Sequence, residues 1–216
     1  MGGRGAGSGI PQSDGPSGGG GDKNPKWGQP NTPQEIKRPN IRGTIGEKGE
    51  PVSPADALKK VNSYRDAEYG DYSMNCQRCV VAYELNRRGY KVEAEATWDK
   101  DPYPSNNLWT RAFKNGKLEK VGGRSTSSVN KRITDKMKKW GNGSRGIVKV
   151  AYNSKEGHVF NVEYKRGKLY YYDAQTGVQY RNKTVFNHVK TQSVEVMRTD
   201  NLKINDSVRD MVRKRG

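Results

Sequence analysis

Cysteine and histidine are scarce in this 216-residue chain, which has two of each. So few thiols exclude a disulfide-rich scaffold and disfavour a structural zinc site, and no metal or cofactor is predicted. Long apolar runs are also missing, since no stretch approaches the roughly 20 residues of a membrane helix. The N-terminus lacks the apolar core of a secretory signal. We therefore expect no membrane contact and cytoplasmic synthesis, followed by virion association or delivery by a specialised route.

The charge is unbalanced, with 40 Lys and Arg against 23 Asp and Glu and a net charge of +17. This excess favours acidic or polyanionic partners without choosing among them. Eight of the 10 prolines and 14 of the 26 glycines fall in the first 54 residues, where no helix or strand periodicity appears. The composition predicts a disordered Gly/Pro-rich tail over 1–53, a globular domain over 54–205 and a basic C-terminal tail over 206–216.

The apolar periodicity changes along the globular part from helical to strand-like. Ser53 as the cap and Pro54 at the first helical position predict a helix over 54–63. Further helices are predicted over 106–114, 125–140 and, as a frayed basic end, 209–216. Alternation of period 2 predicts strands over 90–96, 147–152, 158–164, 168–173 and 194–198. Helices before hairpin-connected strands are typical of an α+β fold with an antiparallel sheet.

One further helix begins at a cysteine. Asn75 is the predicted N-cap, and Cys76, Cys79, Val80 and Tyr83 follow at the spacing of one helical stripe, which ends at Gly89. A thiol in the first turn lies at the positive end of the helix dipole, close to backbone N–H groups without helical acceptors. This environment favours a thiolate, which is the nucleophilic form of cysteine.

His158 begins a predicted strand, and the hairpin that follows decides what lies beside it. With the turn at residues 166–167, His158 lies opposite Gln175, and Asp173 is its diagonal neighbour on the same face. Either side chain can therefore orient the imidazole. The same face is apolar, so we expect it to pack inward beneath the helix that carries Cys76.

These residues match the requirements of amide hydrolysis by a thiol. The reaction needs a thiolate, a base, a group that orients the base, and hydrogen-bond donors for the oxyanion. Cys76, His158 and Asp173 are the candidates for the first three. The backbone N–H of Cys76 is the default oxyanion donor, and a side-chain donor stays unassigned.

Other interpretations of the same residues stay open. A cysteine on an apolar helical stripe is commonly a small buried hydrophobe, and a histidine at a strand start is commonly structural. Cys76 and Cys79 also form a C-x-x-C pair at a helix start, as in thiol redox motifs, although no parallel strand–helix–strand pattern precedes it. A metal site would need both cysteines to converge with His158 and His188 over long, irregular spacings.

Three motifs resemble the papain-fold toxin domain found in bacterial polymorphic toxins and phage head-associated proteins. They are Asn75-Cys76-Gln77-Arg78-Cys79, Gly157-His158-Val159-Phe160-Asn161 and Tyr172-Asp173-Ala174-Gln175-Thr176-Gly177. The resemblance covers about residues 60–200. It implies a papain-like fold for the domain over 54–205, with Cys76 as nucleophile, His158 as base and Asp173 as the orienting acid. Papain proteases also have a glutamine shortly before the nucleophile, which is missing here. It also implies supporting or substrate-binding roles for Asn75, Asn161 and Gln175.

The activity that the resemblance implies is protein glutamine deamidation or peptide cleavage by a cysteine-dependent route. The expected substrate is a protein of a host or competitor cell, and phage capsid or portal proteins are expected partners. The alternative is a non-catalytic phage head protein that binds nucleic acid or capsid through its charge. The predicted helix over 125–140 has a basic back suited to nonspecific DNA contact, formed by Lys131, Arg132, Lys136, Lys138 and Lys139.

Overall fold

The computed structural model describes residues 45–65, 70–97, 107–154 and 156–215. Most of the predicted tail, residues 1–44, lies outside the described residues. The helices are α1 (Pro54–Lys60), α2 (Gly70–Ser73), α3 (Cys76–Arg87) and α4 (Thr126–Trp140). The strands are β1 (Val92–Ala94), β2 (Glu119–Lys120), β3 (Arg145–Ala151), β4 (Gly157–Lys165), β5 (Lys168–Asp173), β6 (Val178–Tyr180), β7 (Glu195–Arg198) and β8 (Val212–Lys214).

The sheet confirms the predicted antiparallel hairpin and its register. Six strands pair in the order β2-β7-β3-β4-β5-β6, all antiparallel. Asn161 lies opposite Tyr172 and Lys165 opposite Lys168, as a turn at residues 166–167 requires. Both turn residues have positive φ, 51° and 76°, which is the backbone of a type I′ turn. The α+β class is confirmed.

Both faces of this sheet are covered by helices. The α4 face carries Val148, Phe160 and Tyr171, which pack with the apolar stripe of α4. The opposite face carries Val159 and Tyr172, which pack with α3. His158 shares its face with Phe160, so the expectation that α3 covers that face is wrong. The physical reason is that β4 has apolar residues on both of its faces. α3 buries the face of Val159, which is opposite the face of His158.

α3 is buried on nearly all sides instead of along a single stripe. Every residue from Arg78 to Asn86 is buried, because α1, β1, the sheet and a 3-10 helix at Leu108–Ala112 surround it. Two of its charged side chains, Glu84 and Arg87, form ion pairs. Glu84 accepts hydrogen bonds from Arg88 and Arg145, at 2.7 and 2.9 Å. At the same end, Arg87 pairs with Glu163 of β4 at 2.7 Å.

Several element predictions need correction. The frayed helix over 209–216 is wrong, because a 3-10 helix ends at Asp210 and β8 follows, pairing with β1. The predicted basic tail thus contributes to the core, since Val208, Met211 and Val212 are buried. The helix expected over 106–114 is the short 3-10 helix Leu108–Ala112, and the first predicted helix ends three residues early, at Lys60.

None of the helices in the described ranges has the length and apolar content needed to cross a membrane.

Candidate active site

The first turn of α3 presents Cys76 at the end of the sheet where β4 begins and β5 ends. Asn75 occupies the N-cap position, but its side chain makes no cap hydrogen bond. Instead the amide is buried and donates to Asn62 Oδ1 at 3.2 Å and to the Glu95 carbonyl at 3.1 Å, and its oxygen accepts from the Cys79 thiol. Asn62 and Glu95, which lie outside the helix, thereby fix the position of its N-cap residue. Cys76, as the first helical residue, keeps a backbone N–H without a helical acceptor.

The histidine and the carboxylate meet as the hairpin register predicts. His158 Nε2 lies 3.0 Å from Asp173 Oδ2, and the two side chains are 11% and 10% exposed. The other carboxylate oxygen accepts the backbone N–H groups of Gln175 and Thr176, at 3.2 and 3.3 Å. The rings of Tyr152 and Phe160 lie 6.0 and 6.1 Å from the imidazole. The imidazole is therefore held in one orientation by a carboxylate that is itself fixed by the following turn.

Cys76 lies beside these two residues. The thiol and the imidazole line the same cleft, and the thiol is close enough to contribute to the raised pKa of His158. Because Nε2 faces Asp173, the ring nitrogen left for the thiol is Nδ1. Since α3 packs on the opposite face of the sheet, only its N-terminal tip reaches the histidine, around the open end of the strands. The structure thus brings together the three residues that the sequence singles out for the reaction.

Electrostatics favour the charged forms of both residues of the histidine–carboxylate pair. Burial alone disfavours the imidazolium, but the hydrogen bonds to Asp173 and Cys76 and their charges outweigh it, raising the pKa of His158 to about 10. Burial would likewise raise the pKa of Asp173, yet the bonds from His158 and Thr176 keep it below its ordinary value. The pair therefore presents a positively charged imidazolium beside the Cys76 thiol.

A cleft of about 320 Å³ opens beside the thiol and the imidazole. Lys149 and Glu195 form an ion pair of 3.5 Å in its wall. The cleft is lined by Cys76, Gln77, Lys149, Val150, Ala151, Gly157, His158, Val159, Ser193 and Glu195. A cleft of this size admits a side chain with adjacent atoms to the sulfur.

The side chains of Gln175 and Asn161 bond to backbone carbonyls rather than to the reacting groups. The Gln175 side chain donates to the carbonyl of Ser73, whereas the Asp173 carboxylate contacts the imidazole. Asn161 lies on the α3 face of β4, where its buried amide donates to the Val80 carbonyl at 3.1 Å. Both residues join α3 or its approach to the sheet, and neither lines the cleft.

The two cysteines lie in contrasting environments. Cys79 is buried, and its thiol donates to Asn75 Oδ1 at 3.0 Å. Burial, reinforced by the nearby Cys76, raises the pKa of Cys79 well above the usual range. In the described part of the chain no group of three His, Cys, Asp or Glu side chains is arranged to bind a metal ion. His188 lies exposed in the turn after a 3-10 helix at Lys183–Phe186.

Iodoacetamide is expected to alkylate Cys76 selectively at neutral pH, because the reactive form of cysteine is an accessible thiolate. Trypsin cleaves after Arg78 and so separates the two thiols into different peptides, whose labelling can be followed by mass spectrometry. The unfolded chain, in which both thiols are accessible, is the control. Faster labelling of Cys79, or of neither thiol, in the folded protein would contradict the assignment.

The basic residues of α4 lie on the other side of the sheet from α3. Lys131 pairs with Asp135 at 2.7 Å, Lys136 pairs with Glu119, and Arg132 donates to the Gly122 carbonyl. Lys138 and Lys139 are exposed in the last turn. Part of the predicted basic surface is thus neutralised by carboxylates, and nucleic-acid contact there stays a prediction.

Sequence reasoning missed the residues that join the site to its surroundings. Asn62 bonds to Asn75, and Lys149 and Glu195 line the cleft, yet none of these three belongs to a motif. The alternation of β3 and β7 places Lys149 opposite Glu195, a cross-strand pair that could have been found had the pairing of these strands been predicted. No comparable signal marks Asn62, which lies in an irregular turn.

Residues 74–178, just under half of the chain, match the family described as papain fold toxin 1, glutamine deamidase. No curated protein and no solved structure gives a match. The matched range includes Cys76, His158 and Asp173. The predicted resemblance to papain-fold toxin domains is confirmed, and the helices and antiparallel sheet are consistent with a papain-like fold. The match also supports a toxin-like deamidase as the class of enzyme.

Proposed function

We propose that the chain hydrolyses the side-chain amide of glutamine in a protein substrate. The premise is that residues 74–178 match the papain-fold toxin family. The observation that carries this proposal is the convergence of Cys76 and His158 on the wall of one cleft, with the imidazole bonded to Asp173 at 3.0 Å. In this proposal Cys76 is the nucleophile, His158 the acid and base, and Asp173 the residue that orients the histidine.

In the first half of the reaction the Cys76 thiolate attacks the amide carbon of the glutamine side chain. The new C–S bond gives a tetrahedral intermediate, whose oxyanion can accept the backbone N–H of Cys76 at the positive end of α3. His158, as imidazolium, donates its proton to the amide nitrogen. The C–N bond then breaks, ammonia leaves and a thioester to Cys76 remains.

In the second half, the neutral imidazole accepts a proton from water while the water oxygen attacks the thioester carbon. The C–S bond breaks, the glutamic acid product loses its remaining proton to solvent, and the imidazolium and the thiolate are left as the initial pair. The carboxylate of Asp173 favours the imidazolium at each stage. Because Asp173 is held by two backbone N–H groups, it needs no rearrangement during the cycle.

Deamidation is favoured over peptide cleavage by the description of the matched family. The two reactions share the acyl-enzyme route and differ in the leaving group, which is ammonia in one and a peptide amine in the other. A protein of a host or competitor cell is the substrate we propose. Capsid or portal partners and association with a virion stay predictions.

Incubating the purified chain with glutamine-rich proteins of low isoelectric point tests this function, because the chain is strongly basic and acidic partners are favoured. We expect ammonia release and conversion of glutamine to glutamate, seen as the corresponding mass gain in intact substrate peptides. The Cys76→Ser variant is the matched control. New peptide N-termini without ammonia would establish a peptidase, and identical products from both chains would refute a thiol hydrolase.

A further inference from the structure

A buried amide, Asn62, connects the two ends of the proposed active site. It lies in the turn after α1 and is 1% exposed. Its Nδ2 donates to the carbonyls of Tyr72, at 3.2 Å, and Gln175, at 3.0 Å. Its Oδ1 accepts from Asn75 Nδ2 at 3.2 Å. One side chain therefore joins the approach to α3, the residue before Cys76 and the turn after β5.

We propose that Asn62 is a positioning residue that sets the Cys76 thiol against the imidazole, an inference that rests on the proposed function. Asn62 is not among the described residues that line the cleft, so it acts through its neighbours. Its effect on the rate is geometric. A misplacement of about 1 Å between reacting groups can lower a rate roughly a hundredfold.

On the cysteine side, Asn62 acts through Asn75. The Asn75 carbonyl accepts the backbone N–H groups of Arg78 and Cys79, at 2.9 and 3.0 Å, and so closes the first turn of α3. Its side chain is bound by Asn62 and by the Glu95 carbonyl. Cys76 follows directly in the chain, so a displacement of Asn75 moves the sulfur.

On the carboxylate side, Asn62 acts through Gln175. The Asn62 amide holds the Gln175 carbonyl, while the Gln175 backbone N–H donates to Asp173 Oδ1. A second connection runs in parallel, from the Gln175 side chain to the Ser73 carbonyl. The turn that fixes Asp173 is thus connected twice to the segment that precedes Cys76.

The chemistry of these contacts requires an amide. Asn62 uses both N–H bonds as donors and its oxygen as an acceptor, in a site closed to water. Aspartate has the same shape, but its second oxygen would face two carbonyl oxygens without a proton to share. Asn62→Asp therefore keeps the volume and the bond from Asn75 and disrupts the bonds to Tyr72 and Gln175.

Asn86 offers a matched control at the other end of α3. It is also buried, and its Nδ2 donates to the carbonyls of Ala82 and Val92, at 2.8 and 2.7 Å. Asn86→Asp likewise sets a carboxylate oxygen against two carbonyl oxygens, remote from the thiol, while its other oxygen keeps the contact with Arg215 Nη1 at 3.4 Å. Both variants should therefore change the melting temperature, and only Asn62→Asp should change the reactivity of the thiol.

The experiment measures alkylation of Cys76 by iodoacetamide in the full chain, from about pH 6 to about pH 9, together with melting temperature and the kcat/KM for deamidation. For Asn62→Asp we expect the rate at the acidic end to fall roughly tenfold or more, because the sulfur is displaced from the imidazolium that activates it. The kcat/KM should fall by a similar factor. Asn86→Asp should keep the wild-type alkylation profile.

A wild-type alkylation profile in folded Asn62→Asp, whatever its melting temperature, would overturn the proposal. If that variant does not fold, Gln175→Ala, which removes the parallel connection from a partly exposed position, should lower the acidic-end rate several-fold; an unchanged rate would overturn it equally. Alkylation needs no substrate. The proposed function would therefore be refuted by a wild-type chain that hydrolyses no amide. The positioning role would still be supported if Asn62→Asp slowed the alkylation of Cys76 and Asn86→Asp did not.

Discussion

Replacing Cys76 by serine is expected to lower amide hydrolysis by a factor on the order of 10³ or more while the fold persists. A serine hydroxyl stays protonated beside the imidazole and is a far weaker nucleophile than a thiolate. Cys76 is only partly buried, so the loss of its sulfur costs little packing. Activity assays at equal concentrations of folded protein, checked by circular dichroism, measure the effect.

Cys79→Ser is the matched control for this substitution. It changes the same atom three residues away, and the hydroxyl can still donate to Asn75 Oδ1 as the thiol does. We expect this variant to keep most of the activity. A larger loss from Cys79→Ser than from Cys76→Ser would reverse the roles of the two cysteines and favour redox chemistry.

Asp173→Asn is expected to lower kcat/KM on the order of 10² or more near pH 8, with a strong pH dependence. The carboxylate stabilises the imidazolium, whose pKa is raised to about 10 in the wild type. An amide at this position removes that charge, so the pKa of His158 should fall towards the ordinary value of about 6.5. The alkaline limb of the activity profile should therefore move to lower pH, as kcat/KM measured across pH will show.

The sign of the stability change follows from the same pair. A histidine whose pKa is raised stabilises the fold fully below about pH 6.5, and this contribution is lost as the pH rises through about 10. The carboxyl, whose pKa is lowered, contributes above its ordinary value of 3.8 and less as the pH falls through its folded value. The melting temperatures of wild type and Asp173→Asn should therefore differ most between about pH 4 and pH 6.5. An equal difference at every pH would contradict this pairing.

The part of the site predictable from sequence is the part governed by local rules. The turn at residues 166–167 sets the hairpin register, and from it follows the contact between His158 and Asp173, confirmed at 3.0 Å. The position of Cys76 in the first helical turn follows from the apolar spacing of the residues after it. Both inferences use only neighbours along the chain or across one tight turn.

The parts that failed depend on contacts between distant segments. The two apolar faces of β4 do not indicate which helix covers which, and α3 proved to lie on the face of Val159 rather than that of His158. In the sequence, the 3-10 helix ending at Asp210 and β8 look like a basic tail. Their order depends on β1, which pairs with β8 but is distant from it in the chain. Asn62 is recognisable only once three separate segments have met around it.

The charged end of α3 implies that inactivating mutations need not cluster around the sulfur. The fully buried carboxylate of Glu84 balances the positive charges of two guanidinium groups, those of Arg88 and Arg145. A neutral residue in its place would leave both charges without this partner. Removing one partner from such a buried pair generally costs about 3–5 kcal/mol, a large share of a domain's stability. A selection for variants that lack the proposed activity should therefore recover changes at this remote end as well as at Cys76.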